Sequence, residues 1–285
     1  MEISLLLWLI PLPLVYWCVN EKKGLLLGIV ILISLWINIS VKFLMEQPGQ
    51  IWLFRFFFNE SERVIGAAAD NAARGPSLIA QNTLVTLFII ASWFGKKIFY
   101  ISAALLSVLI AAAVILLGRQ SCVDAAAGWI CGGIILCGYF LLSGRIESLV
   151  SAGGFRAGII CGASVSFIMI LFPPAKEAIM TSGLLLGMIL GYSLNNRFVK
   201  FNSADLRENA GARKFLVLAA RFILGTAILV LMLYRVEKII PVISQRQNIK
   251  LYSFLCYLLI SLWVYVAAPW VFIKLRLAGS PAEDQ

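Results

Sequence analysis

The sequence contains no histidine among its 285 residues, so it offers no imidazole nucleophile or general acid. Charge is also scarce, at 13% of residues, against about a quarter in soluble domains. That shortage excludes an ordinary water-soluble globule. The six cysteines (Cys18, Cys122, Cys131, Cys137, Cys161 and Cys256) show no CxxC spacing. Most fall inside apolar stretches, which reads as small helix-packing residues rather than a disulfide or metal framework. The opening MEISLLLWLIPLPLVYW lacks a basic leader and a small-residue cleavage site, so it reads as a retained span rather than a removable signal. No repeat of fixed period is visible.

What is present is apolar. Hydrophobic residues make up 61% of the chain, and the mean hydropathy is +0.93. A helix needs about 20 consecutive apolar residues to cross a hydrocarbon core. Reading apolar runs against polar breaks predicts about nine spans, near 3–19, 24–45, 77–94, 98–117, 125–143, 155–172, 182–198, 214–233 and 251–273. The fold class is therefore all-α, a polytopic membrane bundle. Pro11 and Pro13 predict a kinked or partly interfacial first segment.

The net charge of +10 is explained by loops. Lys22, Lys23, Lys96, Lys97, Arg145 and the stretch Arg197 to Lys214 fall on one side of an alternating nine-span chain. The cytoplasm is the natural side for them, which puts the N-terminus outside and argues against nucleic acid as a partner. Basic residues at 234–250 weaken the contrast. The long 46–76 connection then faces outward; its Trp52, Phe54, Phe56 and Phe57 around Arg55 fit either an interfacial helix or a loop with aromatic anchors. Small-residue stripes at Gly128, Gly132 and Gly133, and at Gly183, Gly187 and Gly191, fit close helix packing, within the chain or against a membrane-protein partner. Arg221, one turn inside the eighth run, is expected to snorkel to the membrane surface.

Three outward helix ends carry the informative residues: VKFLMEQPGQ with Lys42, GPSLIAQNT with Pro76 and Ser77, and LLGRQSCVDAAAGW with Arg119 and Asp124. Together with YWCVNEKKGLLLG, GYSLNNRFVKF and APWVFIKLRLA, they resemble a bacterial branch of the type 2 phosphatidic acid phosphatase superfamily of lipid-phosphate phosphatases. The resemblance implies a six-helix phosphatase-like core, residues 1–172, followed by accessory helices of the same membrane domain, residues 173–285. It also implies residence in the cytoplasmic (inner) membrane, with the pocket facing outward. No cofactor is implied.

The family carries a Lys separated by six residues from Arg-Pro, then Pro-Ser-Gly-His, then Ser-Arg with a His six residues after that Arg and an Asp four further on. One His attacks phosphorus and the other protonates the leaving group. Cationic side chains, the Ser and helix-terminal amides hold the transition state. In this chain Lys42, Pro76, Ser77 and Asp124 match. The first Arg-Pro falls on Gly49 and Gln50, the Gly-His on Leu78 and Ile79, the Ser-Arg on Ala113 and Val114, and the nucleophile on Gln120. Loss of an acid–base group typically costs about 10²–10⁴-fold. Loss of the nucleophile costs around 10⁶-fold in a well-studied hydrolase. Phosphohistidine catalysis is chemically excluded.

The expectation is a catalytically inactive homologue acting as a lipid-binding, scaffolding or regulatory subunit, with phosphatidate or polyprenyl phosphates as the implied ligands. Lys42, Arg119, Ser77 and Asp124 are then a remnant phosphate pocket, or Lys42 snorkels and Asp124 merely caps a helix. A divergent phosphatase using Cys122, or a lipid or small-molecule transport protein, are the alternatives.

Overall fold

A computed structural model of the chain describes residues 11–46, 75–118, 120–152, 155–203, 212–243, 249–275 and 277–278. Every regular element among them is helical. In chain order these are α1 (Pro11–Cys18), α2 (Glu21–Glu46), α3 (Leu78–Ser92), α4 (Lys97–Leu116), α5 (Cys122–Ala152), α6 (Phe155–Leu171), α7 (Lys176–Leu194), α8 (Ala212–Ile243), α9 (Ile249–Leu262) and α10 (Ala268–Lys274). One π-helical turn, Asn195–Val199, continues α7, and another, Trp263–Ala267, joins α9 to α10.

Among the described residues, six stretches are long and apolar enough to cross a membrane: Glu21–Met45, Lys97–Leu116, Cys122–Leu142, Lys176–Val199, Phe215–Val236 and Ile249–Lys274. The chain is an integral membrane protein with an all-helical, polytopic architecture. Two of the other expected spans correspond to shorter apolar helices, Leu78–Ser92 and Gly158–Leu171. The first expected span is described only as the eight residues of α1. Pro11 and Pro13 both lie within that helix, and Pro13 is buried. The aromatic stretch at 51–58, Gly49 and Arg119 lie outside the described residues.

The chain forms two compact units, one of Met1–Leu32 with Ile146–Gln285, the other of Ile33–Arg145. In unit one, α7 packs on α6 and α9, and α8 packs on α1. The α7–α9 contact is a backbone-to-backbone crossing. A Cβ at Gly183 would lie 2.5 Å from the Phe254 carbonyl oxygen, and one at Gly187 would lie 2.5 Å from that of Leu258. The Gly183–Gly187–Gly191 stripe is thereby used inside the chain. In unit two, Ala80, Ala111 and Ala125 are buried together under Ile115 and Trp129, so α3, α4 and α5 also meet through small side chains. The large apolar residues of α4, including Ile101, Leu105 and Leu109, are exposed, as a lipid-facing surface requires.

Arg221 corrects its expected placement. The residue is fully buried rather than snorkelled. Its guanidinium donates to the Leu277 carbonyl from Nε at 2.9 Å and from Nη2 at 2.6 Å, and its Nη1 donates to the carbonyls of Trp17 at 3.1 Å and Ser203 at 3.4 Å. The Phe201 ring lies 5.5 Å from its Cζ. A planar five-donor fork can serve three chain segments simultaneously, whereas an extended snorkelling chain would leave those carbonyls short of donors. Around it, Ser203 donates from N and Oγ to Glu21 Oε2, at 3.2 and 2.6 Å, and Asn195 Nδ2 donates to Tyr16 Oη at 2.8 Å. The cysteines need a second correction: Cys122, Cys137 and Cys161 are exposed, so packing describes only the half-buried Cys18, Cys131 and Cys256.

Candidate functional site

Unit two brings together three of the helix ends singled out by sequence. Gly75 turns the chain into α3 with φ +136°, a conformation that favours glycine. A Cβ there would lie 2.9 Å from Lys42 Cγ, so the lysine stem at the end of α2 packs directly on this turn. Asn38, one turn earlier on α2, donates from Nδ2 to the Pro76 carbonyl at 3.0 Å. The Ser77 amide donates to the Asp124 carbonyl at 2.8 Å, which ties the start of α3 to the start of α5. Gly128 makes that approach possible, because a Cβ there would stand 2.5 Å from the Ser77 oxygen. Gly132 repeats the contact one turn on, 3.0 Å from the Gln81 oxygen, while Gly133 faces open space.

Ser77 and Asp124 both cap helices. Ser77 Oγ accepts from the Ala80 amide at 3.0 Å, leaving the hydroxyl hydrogen available to donate. The first-turn amides of Leu78 and Ile79 have no intrahelical acceptor, which gives this helix start its affinity for negative charge. Asp124 is buried, and its Oδ2 accepts from Ser121 N at 3.1 Å and Ser121 Oγ at 2.8 Å. Ser121 Oγ in turn accepts from the Asp124 amide at 3.1 Å. This is a reciprocal capping arrangement, so the aspartate organises the entry to α5.

The degenerate positions fall around these ends. Leu78 and Ile79 form the first turn of α3, Val114 lies near the end of α4 next to the exposed Ala113, and Gln120 precedes α5. All except Ala113 are partly buried. Among the described residues Lys42 supplies the site's cation. Replacing Ser77 by Ala should lower stability by about 0.5–2 kcal/mol, with Thr costing less. Thermal unfolding of the purified protein in mild detergent measures both.

Sequence reasoning missed the layer beneath. Asn38 Nδ2 donates to Gln81 Oε1 at 2.8 Å, Gln81 Nε2 donates to Ser34 Oγ and to the Ser34 carbonyl, both at 2.8 Å, and Ser34 Oγ donates to Asn82 Oδ1 at 2.6 Å. All four side chains are essentially inaccessible. The signal was available: Ser34 and Asn38 are four apart on one helix, and Gln81-Asn82 interrupts an apolar one. Polar side chains at that depth must find partners within the protein. The network fixes α2 against α3 and so holds Lys42 near the Gly75 turn.

Residues 179–280 match the family described as PAP2 superfamily phosphatase, transmembrane extension. No curated protein and no solved structure matches the chain. The matched segment runs from α7 through α10 and includes the GYSLNNRFVKF and APWVFIKLRLA stretches, but it stops short of Lys42, Ser77 and Asp124. The likeness to that phosphatase-related family therefore covers the helices of unit one and not the helix ends of unit two.

Proposed function

We propose that this chain is a phosphatase-like membrane protein that holds a phosphorylated lipid without cleaving it, and that it serves as a binding, scaffolding or regulatory subunit in a bacterial cytoplasmic membrane. The reading takes residues 1–172 as the phosphatase-like core and places its pocket at the outer leaflet. One observation carries it: Lys42, the start of α3 at Ser77 and the start of α5 at Asp124 are tied together, while the acid and nucleophile positions hold Ile79 and Gln120.

The chemistry follows from what each group offers. The Lys42 ammonium, the Ser77 hydroxyl and the Leu78 and Ile79 amides are donors suited to phosphate oxygens. None of them is the imidazole with which the family attacks phosphorus or protonates the leaving alkoxide. Asp124 acts indirectly, since its carboxylate is committed to Ser121 and its carbonyl to the Ser77 amide.

Purified protein in liposomes should release no phosphate from phosphatidate or a polyprenyl diphosphate above protein-free controls. Phosphatidate should nevertheless be retained by the detergent-purified protein, and Lys42→Gln should weaken that retention by about tenfold, as expected for a lost charged hydrogen bond. Native mass spectrometry reads the retention. Turnover that disappears on changing Lys42 or Asp124 would overturn the inactive reading, and equal retention by Lys42→Gln would remove the pocket.

A further inference from the structure

The buried contacts around Arg221 bring basic side chains from separate segments to one end of unit one. Glu21, at the start of α2, accepts from Ser203 N and Oγ, and Arg221 joins the Ser203 carbonyl to that of Leu277, beyond α10. Lys22 and Lys23 follow Glu21 directly, Arg197 and Lys200 shortly precede Ser203, and Lys274 ends α10. All of these basic side chains are exposed.

Lys200 is held there against its backbone preference. Its φ of +53° is left-handed, a region where a Cβ is disfavoured and glycine is the usual occupant. The π turn Asn195–Val199 imposes that conformation. Lys200 N donates to the Asn195 carbonyl at 2.6 Å, and the buried Asn195 side chain donates to Tyr16 Oη at 2.8 Å. A lysine kept where glycine fits better points to a use for its ammonium.

Aromatic side chains set the depth of this surface. Phe198 is 68% exposed and Trp270 48% exposed, with Arg197 Cζ 5.4 Å and Lys274 Nζ 4.1 Å from their ring centroids. Exposed aromatic rings with cations against them belong at the membrane–water interface, level with lipid headgroups. Among the side chains described in unit one, the carboxylates are those of Glu21 and Glu177. Glu21 is engaged by Ser203, and Glu177 lies at the opposite end of α7. We propose that this end of unit one binds the phosphodiester headgroups of anionic phospholipids, with Lys22, Lys200 and Lys274 as the contacts. Charge complementarity selects an anionic lipid, because a zwitterionic headgroup would bring its own ammonium among these lysines.

The test uses the full-length protein carrying Lys42→Gln, so that the site of the phosphate reading cannot contribute its cation. This protein, in mild detergent, is offered an equimolar mixture of phosphatidylglycerol and phosphatidylcholine with identical acyl chains. Native mass spectrometry reads which lipid is retained. Phosphatidylglycerol is expected to be preferred, and adding Lys22→Gln, Lys200→Gln or Lys274→Gln should each lower that preference by about fivefold. Lys238→Gln with Lys250→Gln, exposed at the far end of α8 and the start of α9, should leave it unchanged. Lys200→Gly separates binding from folding. Glycine suits the left-handed turn, so the melting temperature should equal or exceed that of the parent while the preference still falls. The proposal is overturned if the Lys42→Gln protein shows no preference, or if Lys200→Gly retains it in full. Equal loss from the Lys238 and Lys250 changes would overturn it as well, since net charge alone would then account for the binding.

Discussion

Replacing Arg221 by Met is expected to destabilise the protein by about 3–5 kcal/mol, the range seen when one partner of a buried charged contact is removed. The size follows from what stays behind. Leu277 loses two donors, and Trp17 and Ser203 lose one each, in a region where the side chain is fully buried. Each carbonyl left without a donor costs about 1–3 kcal/mol. Methionine offsets part of this by ending the burial of a guanidinium. Arg221→Lys should fall between wild type and Met, because an ammonium keeps the charge but has no planar fork to span three segments. Melting temperatures in mild detergent should therefore order as wild type, Lys, Met. The reverse order for the two variants would mean that the burden of burying charge outweighs the carbonyl contacts. Hydrogen exchange provides a local readout, since amides at the end of α10, and that of Leu277 beyond it, which donates to the Phe272 carbonyl, should lose protection before those of α7.

This arginine also shows how far the sequence could be read. Charge near the start of an apolar run is ordinarily a snorkelling residue, and nothing local to Arg221 argues otherwise. Its acceptors lie 204 residues before it at Trp17, 18 before it at Ser203 and 56 after it at Leu277, and all three are backbone atoms. Backbone acceptors carry no identity in a sequence, so the contact is invisible until the chain is folded. Helices were legible because length and hydropathy follow from bilayer thickness. Tertiary contacts were legible only where residue type is itself diagnostic. The glycine stripe of α7 was one such case, and the order of the Lys42, Ser77 and Asp124 helix ends was another. Resemblance located those ends, but their local roles came from geometry, with Ser77 capping α3 and Asp124 locked to Ser121. The π turns escaped notice because an extra residue in a helix leaves no signature in an apolar run.

The opposite behaviour of two glycine sites gives the second large effect. Gly187→Leu should abolish stable folding or cost well over the usual range of about 1–3 kcal/mol for overpacking. Already at the Cβ, the new side chain would stand 2.5 Å from the Leu258 carbonyl oxygen and 2.8 Å from Ser261 Cβ. The nearest atom is backbone, so no rotamer change relieves the clash. The helices α7 and α9 would have to separate, which withdraws the van der Waals contact that drives helix association in a membrane. Gly187→Ala meets the same atom with a smaller group and should cost about 1–3 kcal/mol. Gly133→Leu is the matched control, since a Cβ at that position would meet nothing within 4 Å, and it should unfold within a few degrees of wild type. Size-exclusion profiles and melting curves in detergent compare the three variants. Equal tolerance at Gly187 and Gly133 would mean that α7 and α9 do not cross backbone to backbone. A defect at Gly133 alone, appearing as loss of an oligomer with the monomer still folded, would instead reveal a partner for the face of α5 that the described residues leave uncovered.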